Sequence, residues 1–102
     1  MKDFRTGFAK DYSKIKEFDR IGYHYTQIAH NDEYIIWEMK KKGDTTYSVE
    51  VWKKTPFKNP DGSIVEARYI GDEEFGTRGW CFVGKNKSAI RNKLFDRFKI
   101  AI

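Results

Sequence analysis

The segment Asn59-Pro60-Asp61-Gly62 constrains the fold more than any other part of this 102-residue chain. Proline at the second position of a turn and glycine at the fourth are typical of a type I turn whose last residue is left-handed. Such a turn forms a three-residue hairpin loop with a glycine bulge. Because an odd loop fixes the register of its two strands, it also decides which side chains share a face of the sheet.

The register set by this turn pairs Phe57 with Val65, Thr55 with Ala67, and Lys53 with Tyr69. We expect the resulting apolar face to be the core. Its predicted members are Tyr47, Val49, Val51, Phe57, Val65, Ala67 and Tyr69.

Two further turns extend the prediction towards the N-terminus. A three-residue loop at Lys41-Lys42-Gly43 would oppose Trp37 to Tyr47 and Ile35 to Val49, with Gly43 left-handed. A two-residue turn at Asn31-Asp32 would place Ile28 opposite Ile35. Both loops bring Ile35 and Trp37 to the same core face, so the three turns support one another.

The remaining elements are predicted from local signals. Asp72–Gly76 resembles one capped helical turn, and Trp80–Val83 a short buried strand. Asn86 or Ser88 can cap a final helix with an apolar stripe formed by Ile90, Leu94, Phe95 and Phe98. The spacing of Phe8, Tyr12, Ile15 and Phe18 admits an N-terminal helix over 9–19.

The predicted fold class is therefore α+β, a single domain over residues 1–102. Its sheet is an antiparallel meander of four to five strands, with the C-terminal helix packed on one face.

The predicted registers leave aromatic and basic side chains on the opposite face, with Trp52 opposite Ile70 and Lys54 opposite Arg68. This set comprises Tyr23, Tyr25, Tyr34, Lys40, Trp52, Lys54 and Arg68. Rings interleaved with cations suit single-stranded nucleic acid, because bases stack on the rings while the cations hold the backbone. In the alternative interpretation, the N-terminal segment covers these rings as a second core layer, and Glu38, Glu50 and Glu66 also weaken the nucleic-acid hypothesis.

The C-terminal part of the chain is strongly basic. From Thr77 onward it carries seven basic residues and one acidic residue, and the candidate contacts there are Lys85, Lys87, Lys93 and Arg97. A clustered basic surface favours polyanions such as nucleic acid. A solvated helix face is the alternative explanation.

Other motifs give no support for an enzyme, a cofactor or a metal. The stretch from Gly79 to Asn86 imitates a phosphate loop but lacks the required Ser or Thr. His24 and His30 are too far apart on a strand to share one metal. Cys81 lies between Trp80 and Phe82, as buried inert thiols do.

The single cysteine, the lack of a long apolar run and the lack of a signal sequence predict a small cytoplasmic protein that does not bind membranes. It is expected to be a monomer, or a homodimer paired through an uncovered first strand.

Two resemblances involve these residues. Glu50-Val51-Trp52-Lys53, Asp72-Glu73-Glu74-Phe75-Gly76 and Trp80-Cys81-Phe82 look like small uncharacterised proteins of bacteriophages and mobile elements, over roughly residues 45–98. That resemblance implies nucleic-acid binding, or inhibition of a host defence or replication component as anti-CRISPR-like counter-defence proteins do. Four strands followed by a helix are also similar in topology to the transcriptional-coactivator family of single-stranded DNA-binding proteins. We therefore predict a non-enzymatic binding protein that engages nucleic acid or, alternatively, a host protein or nucleoprotein complex.

Overall fold

The structure, a computed structural model, describes residues 10–102 apart from the side chain of Asp72. Two short 3-10 turns span Tyr12–Lys14 and Asp72–Glu74. The helix is α1 (Lys87–Phe98). The strands are β1 (Glu17–Arg20), β2 (Tyr23–His30), β3 (Tyr34–Lys40), β4 (Tyr47–Lys53), β5 (Phe57–Lys58), β6 (Ile64–Val65) and β7 (Gly79–Gly84).

The main sheet is antiparallel and has the strand order β1-β2-β3-β4-β7. Strands β5 and β6 form a separate two-stranded hairpin inserted between β4 and β7. The α+β fold class, the five-stranded meander and the C-terminal helix on one face are thereby confirmed.

The predicted N-terminal helix does not form in the described residues, so that prediction is wrong there. Phe8 and Ala9, which the prediction also used, lie outside the described part of the chain. Only the 3-10 turn Tyr12–Lys14 forms, and the chain then enters β1. Ile21 and Gly22 both have positive φ, 49° and 81°, which is the conformation of a type I′ hairpin turn. That turn pairs Phe18 with Tyr25, and the strand pairing replaces a helix too short to be stable alone.

The turn at Asn59 forms as predicted but sets a shorter hairpin. Gly62 is left-handed with φ of 90°, the Asn59 N–H donates to the Ser63 carbonyl at 2.8 Å, and Phe57 pairs with Val65. The ladder stops there because the backbone groups of Ala67 bond to other partners: its carbonyl accepts from the Tyr12 N–H at 2.7 Å, and its N–H donates to the Asp11 carboxylate at 3.3 Å.

The more distant pairs predicted from that turn are wrong. Lys53 pairs with Tyr34 instead of Tyr69, and Trp52 lies between Ile35 and Gly79 in the sheet. Strand pairing of Thr55 with Ala67, of Trp52 with Ile70 and of Lys54 with Arg68 does not occur.

The predicted register between β3 and β4 is also wrong. The connection spans residues 41–46, and Trp37 pairs with Glu50 while Ile35 pairs with Trp52. Gly43 is left-handed as predicted, with φ of 85°. Asp44 then lengthens the loop, because its carboxylate accepts bonds from the Thr46 N–H and hydroxyl at 3.0 and 2.7 Å. The even loop moves Ile35 and Trp37 to the other face of β4.

A bulge also changes the pairing of β2 with β3. The Asn31 N–H donates to the Tyr34 carbonyl at 3.0 Å, so the turn lies one residue later than predicted. The register shifts between Gln27 and Ala29, and His30 rather than Ile28 opposes Ile35. The bulge adds one residue to β2 and turns Ile28 towards the side of the sheet where α1 packs.

Two apolar layers enclose the sheet. On the side that we name the aromatic face, the buried sheet residues are Tyr25, Ile35, Trp37, Met39 and Trp52. The side that we name the helix face buries Ile36, Val49 and Val51 against Ile90, Leu94 and Phe98 of α1. The Asn86 side chain accepts a bond from the Ala89 N–H at 3.1 Å, which confirms the predicted cap. Phe95 is not part of the stripe, since it is 51% exposed.

In the described part of the chain, no helix is long and apolar enough to cross a bilayer.

Candidate polyanion-binding surface

The aromatic face is covered. Trp52 is 1% exposed and Tyr25 is 3% exposed. The Tyr12 ring lies 5.6 Å from that of Trp52, and the Phe18 ring stacks on Tyr25 at 4.7 Å. Ala67 and Ile70 complete the cover. The structure thus has the covered arrangement, in which Tyr25 and Trp52 cannot stack on a base without displacing the layer above them.

A buried polar cluster lies beneath this cover. The Glu50 carboxylate accepts bonds from the Tyr25 hydroxyl at 2.8 Å and the Trp52 indole N–H at 2.9 Å. An Arg20 guanidinium nitrogen lies 3.6 Å from the same carboxylate. Burial, and then the bond to Glu50, raise the pKa of Tyr25. The Tyr25 hydroxyl and the Trp52 indole are thus paired with the Glu50 carboxylate, and the cluster is part of the core.

The other residues predicted for that face do not form one surface. Tyr34 is on the helix face, packed on Phe98 at 4.8 Å. Tyr23 is half-buried beside the Lys41 ammonium, 5.5 Å from its ring centroid. Lys40 lies on the helix face, opposite to the face predicted, and is exposed.

The cations of this predicted set each face a carboxylate. The Lys40 ammonium lies 3.6 Å from Glu38, and the Lys54 ammonium lies 3.7 Å from Glu66. Arg68 lies 3.4 Å from Glu74. Neighbouring carboxylates reduce the attraction of these cations for a phosphate, so this set is a weak anion site.

The C-terminal cations have a different environment. We name them the basic surface: Lys85, Lys87, Arg91, Lys93, Arg97 and Lys99, all of which are exposed. Among the described side chains, no carboxylate lies within 4.0 Å of their charged groups. Residues 85–99 contain one acid, Asp96, so their net charge of +5 equals that of the whole chain. The structure thus places four predicted residues on α1 or directly before it: Lys85, Lys87, Lys93 and Arg97.

Packing holds two of these cations in place. The Arg97 guanidinium lies 5.2 Å from the Trp80 ring centroid, and the Lys87 ammonium lies 5.0 Å from that of Tyr47. Cation–π contacts of this kind orient a side chain while leaving its charge in water. Lys87 and Arg97 are about 15 Å apart along the helix axis at 1.5 Å per residue. The basic surface therefore extends over about 15 Å along α1.

The charges of α1 favour its C-terminus, where Arg97 lies in the last turn, but not its N-terminus. Lys87 is its first residue, and its first turn contains no acidic residue. Because the N-terminus of a helix carries partial positive charge, cations there are unfavourable and anions are favourable. A bound anion would relieve this repulsion.

Sequence analysis missed the β1–β2 hairpin and its polar groups. Gly22 after Ile21 was the available signal, since glycine favours the type I′ turn. The hairpin brings His24 Nδ1 to 2.7 Å from Asp19 and Nε2 to 3.0 Å from Glu17. Across the described residues, no group of three potential ligands could hold a metal ion.

A cavity of about 290 Å³ opens beside the Arg20–Glu50 pair, and Tyr23, Met39 and Cys81 also line it. Cys81 is exposed at the sheet edge. The pKa of its thiol is nevertheless raised, mainly by partial desolvation and to a smaller extent by the nearby Glu50 carboxylate. A raised pKa disfavours the reactive thiolate. The cavity therefore offers no activated nucleophile.

No protein-family model, curated protein or solved structure matches the chain.

Proposed function

We propose that the protein binds nucleic acid through the basic surface, chiefly by contacts to phosphates. The observation that carries this proposal is the group of exposed cations on and beside α1 with no carboxylate within 4.0 Å among the described residues. Phosphate contacts dominate nucleic-acid affinity and need no sequence-specific pocket. The covered aromatic face is not used in this binding mode.

Phe95 favours a single strand as the ligand. It is 51% exposed on α1, one helical turn after Arg91. An exposed ring beside a cation can stack on an unpaired base, and each stacked base contributes about 1–3 kcal/mol. Duplex bases are already stacked, so Phe95 would add little to duplex binding.

We include the biological setting in this proposal. The resemblance over roughly residues 45–98 suggests a phage or mobile-element protein that acts on nucleic acid during host interaction. The alternative, inhibition of a host complex as a counter-defence protein, requires a protein-binding surface. The exposed edge of β7 favours such a surface.

The test compares two triple variants that remove the same charge. Replacing Arg91, Lys93 and Arg97 by alanine should weaken binding to a labelled single-stranded oligonucleotide by at least tenfold at about 50 mM salt, measured by fluorescence anisotropy. The slope of log affinity against log salt should become shallower by about 2, at roughly 0.7 per phosphate contact. In the matched control, alanine replaces Lys14, Lys42 and Lys58, which are exposed and lie outside α1.

The proposal fails if wild-type protein does not bind the oligonucleotide at about 50 mM salt, where phosphate contacts are strong. Equal losses in both triple variants would also contradict it, because net charge alone would then explain binding. Phe95→Ala tests the strand preference: it should weaken single-strand binding about tenfold and leave duplex binding nearly unchanged.

A further inference from the structure

The outer edge of β7 presents unpaired backbone groups. The Arg78 carbonyl accepts a bond from the Lys53 N–H at 2.7 Å, whereas the Gly79 carbonyl accepts one from Gly76 on the opposite side. Groups of successive residues in a strand point alternately to its two sides. Cys81 and Val83, like Gly79, therefore direct their N–H and C=O groups away from β4. In the described chain, an isolated bridge between Phe75 and Gly79 occupies the start of this edge, and no other strand pairs with it at Cys81 or Val83.

The two edges of the sheet differ in their protection. β1 is four residues long, and three of them, Glu17, Asp19 and Arg20, are charged. β7 is six residues long and contains neither a charged residue nor proline. Val83 is 60% exposed on it. Charges, proline and short length are the usual means of preventing strand addition, and β7 has none of them.

Cations surround this edge. Arg78 precedes β7, but its guanidinium lies 3.1 Å from the Glu74 carboxylate. Lys85 follows β7 and is exposed, and no ion pair forms at its ammonium among the described residues. Arg97 lies over Trp80, and Lys93 is one helical turn before Arg97 on the same side of α1. An incoming strand would thus meet uncompensated positive charge at the Lys85 end and along the helix side.

These charges distinguish between two possible partners for the β7 edge: a second copy of this chain and a strand of another protein. Pairing of two β7 strands would bring the Lys85, Lys93 and Arg97 cations of one copy towards those of the other. Like charges brought together in this way are destabilising. A strand that carries carboxylates would instead be attracted by the same cations.

We propose that the edge of β7 binds an extended acidic segment of a partner protein as a sixth strand of the sheet. Main-chain hydrogen bonds to Cys81 and Val83 provide affinity, as in other complexes formed by β-strand addition. Carboxylates facing Lys85, Lys93 and Arg97 provide selectivity. This site shares those cations with the proposed phosphate contacts, but it also depends on backbone groups of β7, which phosphate contacts do not use.

The test uses a short synthetic peptide in which valine and threonine alternate between glutamates at both ends. We expect it to bind ¹⁵N-labelled protein and to slow amide hydrogen exchange at Cys81 and Val83, which should exchange fast in the free protein. Val83→Pro removes one outward N–H and should weaken binding about tenfold. Val83→Ala keeps that N–H and should bind nearly as wild type. Oligonucleotide binding should persist in both variants.

Three results would overturn the proposal. Equal binding of a peptide with N-methylated alternate amides would show that charge alone is recognised. Slow exchange of Cys81 and Val83 in the free protein would show that the edge is already paired; if sedimentation then shows a dimer that Val83→Pro dissociates, the occupant is a second copy. If Val83→Pro does not fold, the wild-type protein alone provides the test. The proposal is refuted if the peptide does not slow amide exchange at Cys81 and Val83 in the wild type.

Discussion

At the scale of single residues, Glu50 shows how the covered aromatic face depends on one carboxylate. It is 5% exposed and lies on a strand whose neighbours Val49 and Val51 are fully buried. A buried charge is costly unless it is paired and hydrogen-bonded. Tyr25 and Trp52 donate to it and Arg20 lies beside it.

We expect Glu50→Ala to lower the free energy of unfolding by about 3–5 kcal/mol, because it leaves the Tyr25 hydroxyl, the Trp52 indole and the Arg20 charge without this acceptor. Glu50→Gln should cost less, since its amide oxygen still accepts one bond. Urea unfolding followed by circular dichroism measures both. Glu66→Ala, at an exposed partner of Lys54, is the control and should cost less than about 1 kcal/mol. A similar small loss for Glu50→Ala would contradict this account.

At the scale of elements, the predictable parts were those determined by residues close in sequence. The Asn86 cap, the Ile90, Leu94 and Phe98 stripe and the left-handed Gly62 follow from neighbouring residues. The register of β3 with β4 was not predictable in this way, because the Asp44–Thr46 hydrogen bonds changed the loop from odd to even.

That single change of parity had consequences for the predicted site. It separated Tyr34 and Lys40 from Trp52, which sequence analysis had placed on one surface. The basic surface was predicted more readily, since an amphipathic helix that carries many cations exposes most of them whatever the register of the sheet.

The β1–β2 hairpin contains a pH-sensitive contact. The hydrogen bond to Asp19 raises the pKa of His24, slight burial opposes it, and the charges of Asp19 and Glu17 add to it. The stabilising contribution is complete below the unfolded pKa of about 6.5 and is lost as pH rises through the higher folded pKa.

We therefore expect His24→Gln to be less stable than the wild type at about pH 5.5, with a difference that shrinks by about pH 8.5. Urea unfolding at the two pH values measures it, and His30→Gln, at the exposed end of β2, is the control. A difference that is the same at both pH values would show that the ring contributes by packing and not by charge.

At the scale of the whole molecule, one sheet separates two apolar layers, and the chain crosses from one to the other after β7. The N-terminal turn and residues 66–75 cover the aromatic face, and α1 covers the helix face. Tyr12 holds the first cover by its ring contacts with Trp52, Phe18 and Tyr69 and by the bond from its N–H to the Ala67 carbonyl, 2.7 Å long.

Removing that ring should open the aromatic face. In a protein with Trp37→Phe and Trp80→Phe, Trp52 is the remaining tryptophan, and iodide should quench its fluorescence weakly. Adding Tyr12→Ala should increase quenching severalfold and lower the free energy of unfolding by about 2–3 kcal/mol. Phe57→Ala, in the β5–β6 hairpin, should change neither. Strong quenching before Tyr12 is replaced would contradict the covered arrangement.

The insertion of β5–β6 between two neighbouring strands has a consequence for the order of folding. Short turns of residues 21–22, 32–33 and 41–46 join β1 to β4, whereas residues 54–78 separate β4 from β7. Closing that longer loop costs about 2 kcal/mol more entropy than a two-residue turn. The first four strands can therefore pair early through contacts between residues close in sequence. Strand β7 and α1 then pack onto a sheet that has already formed.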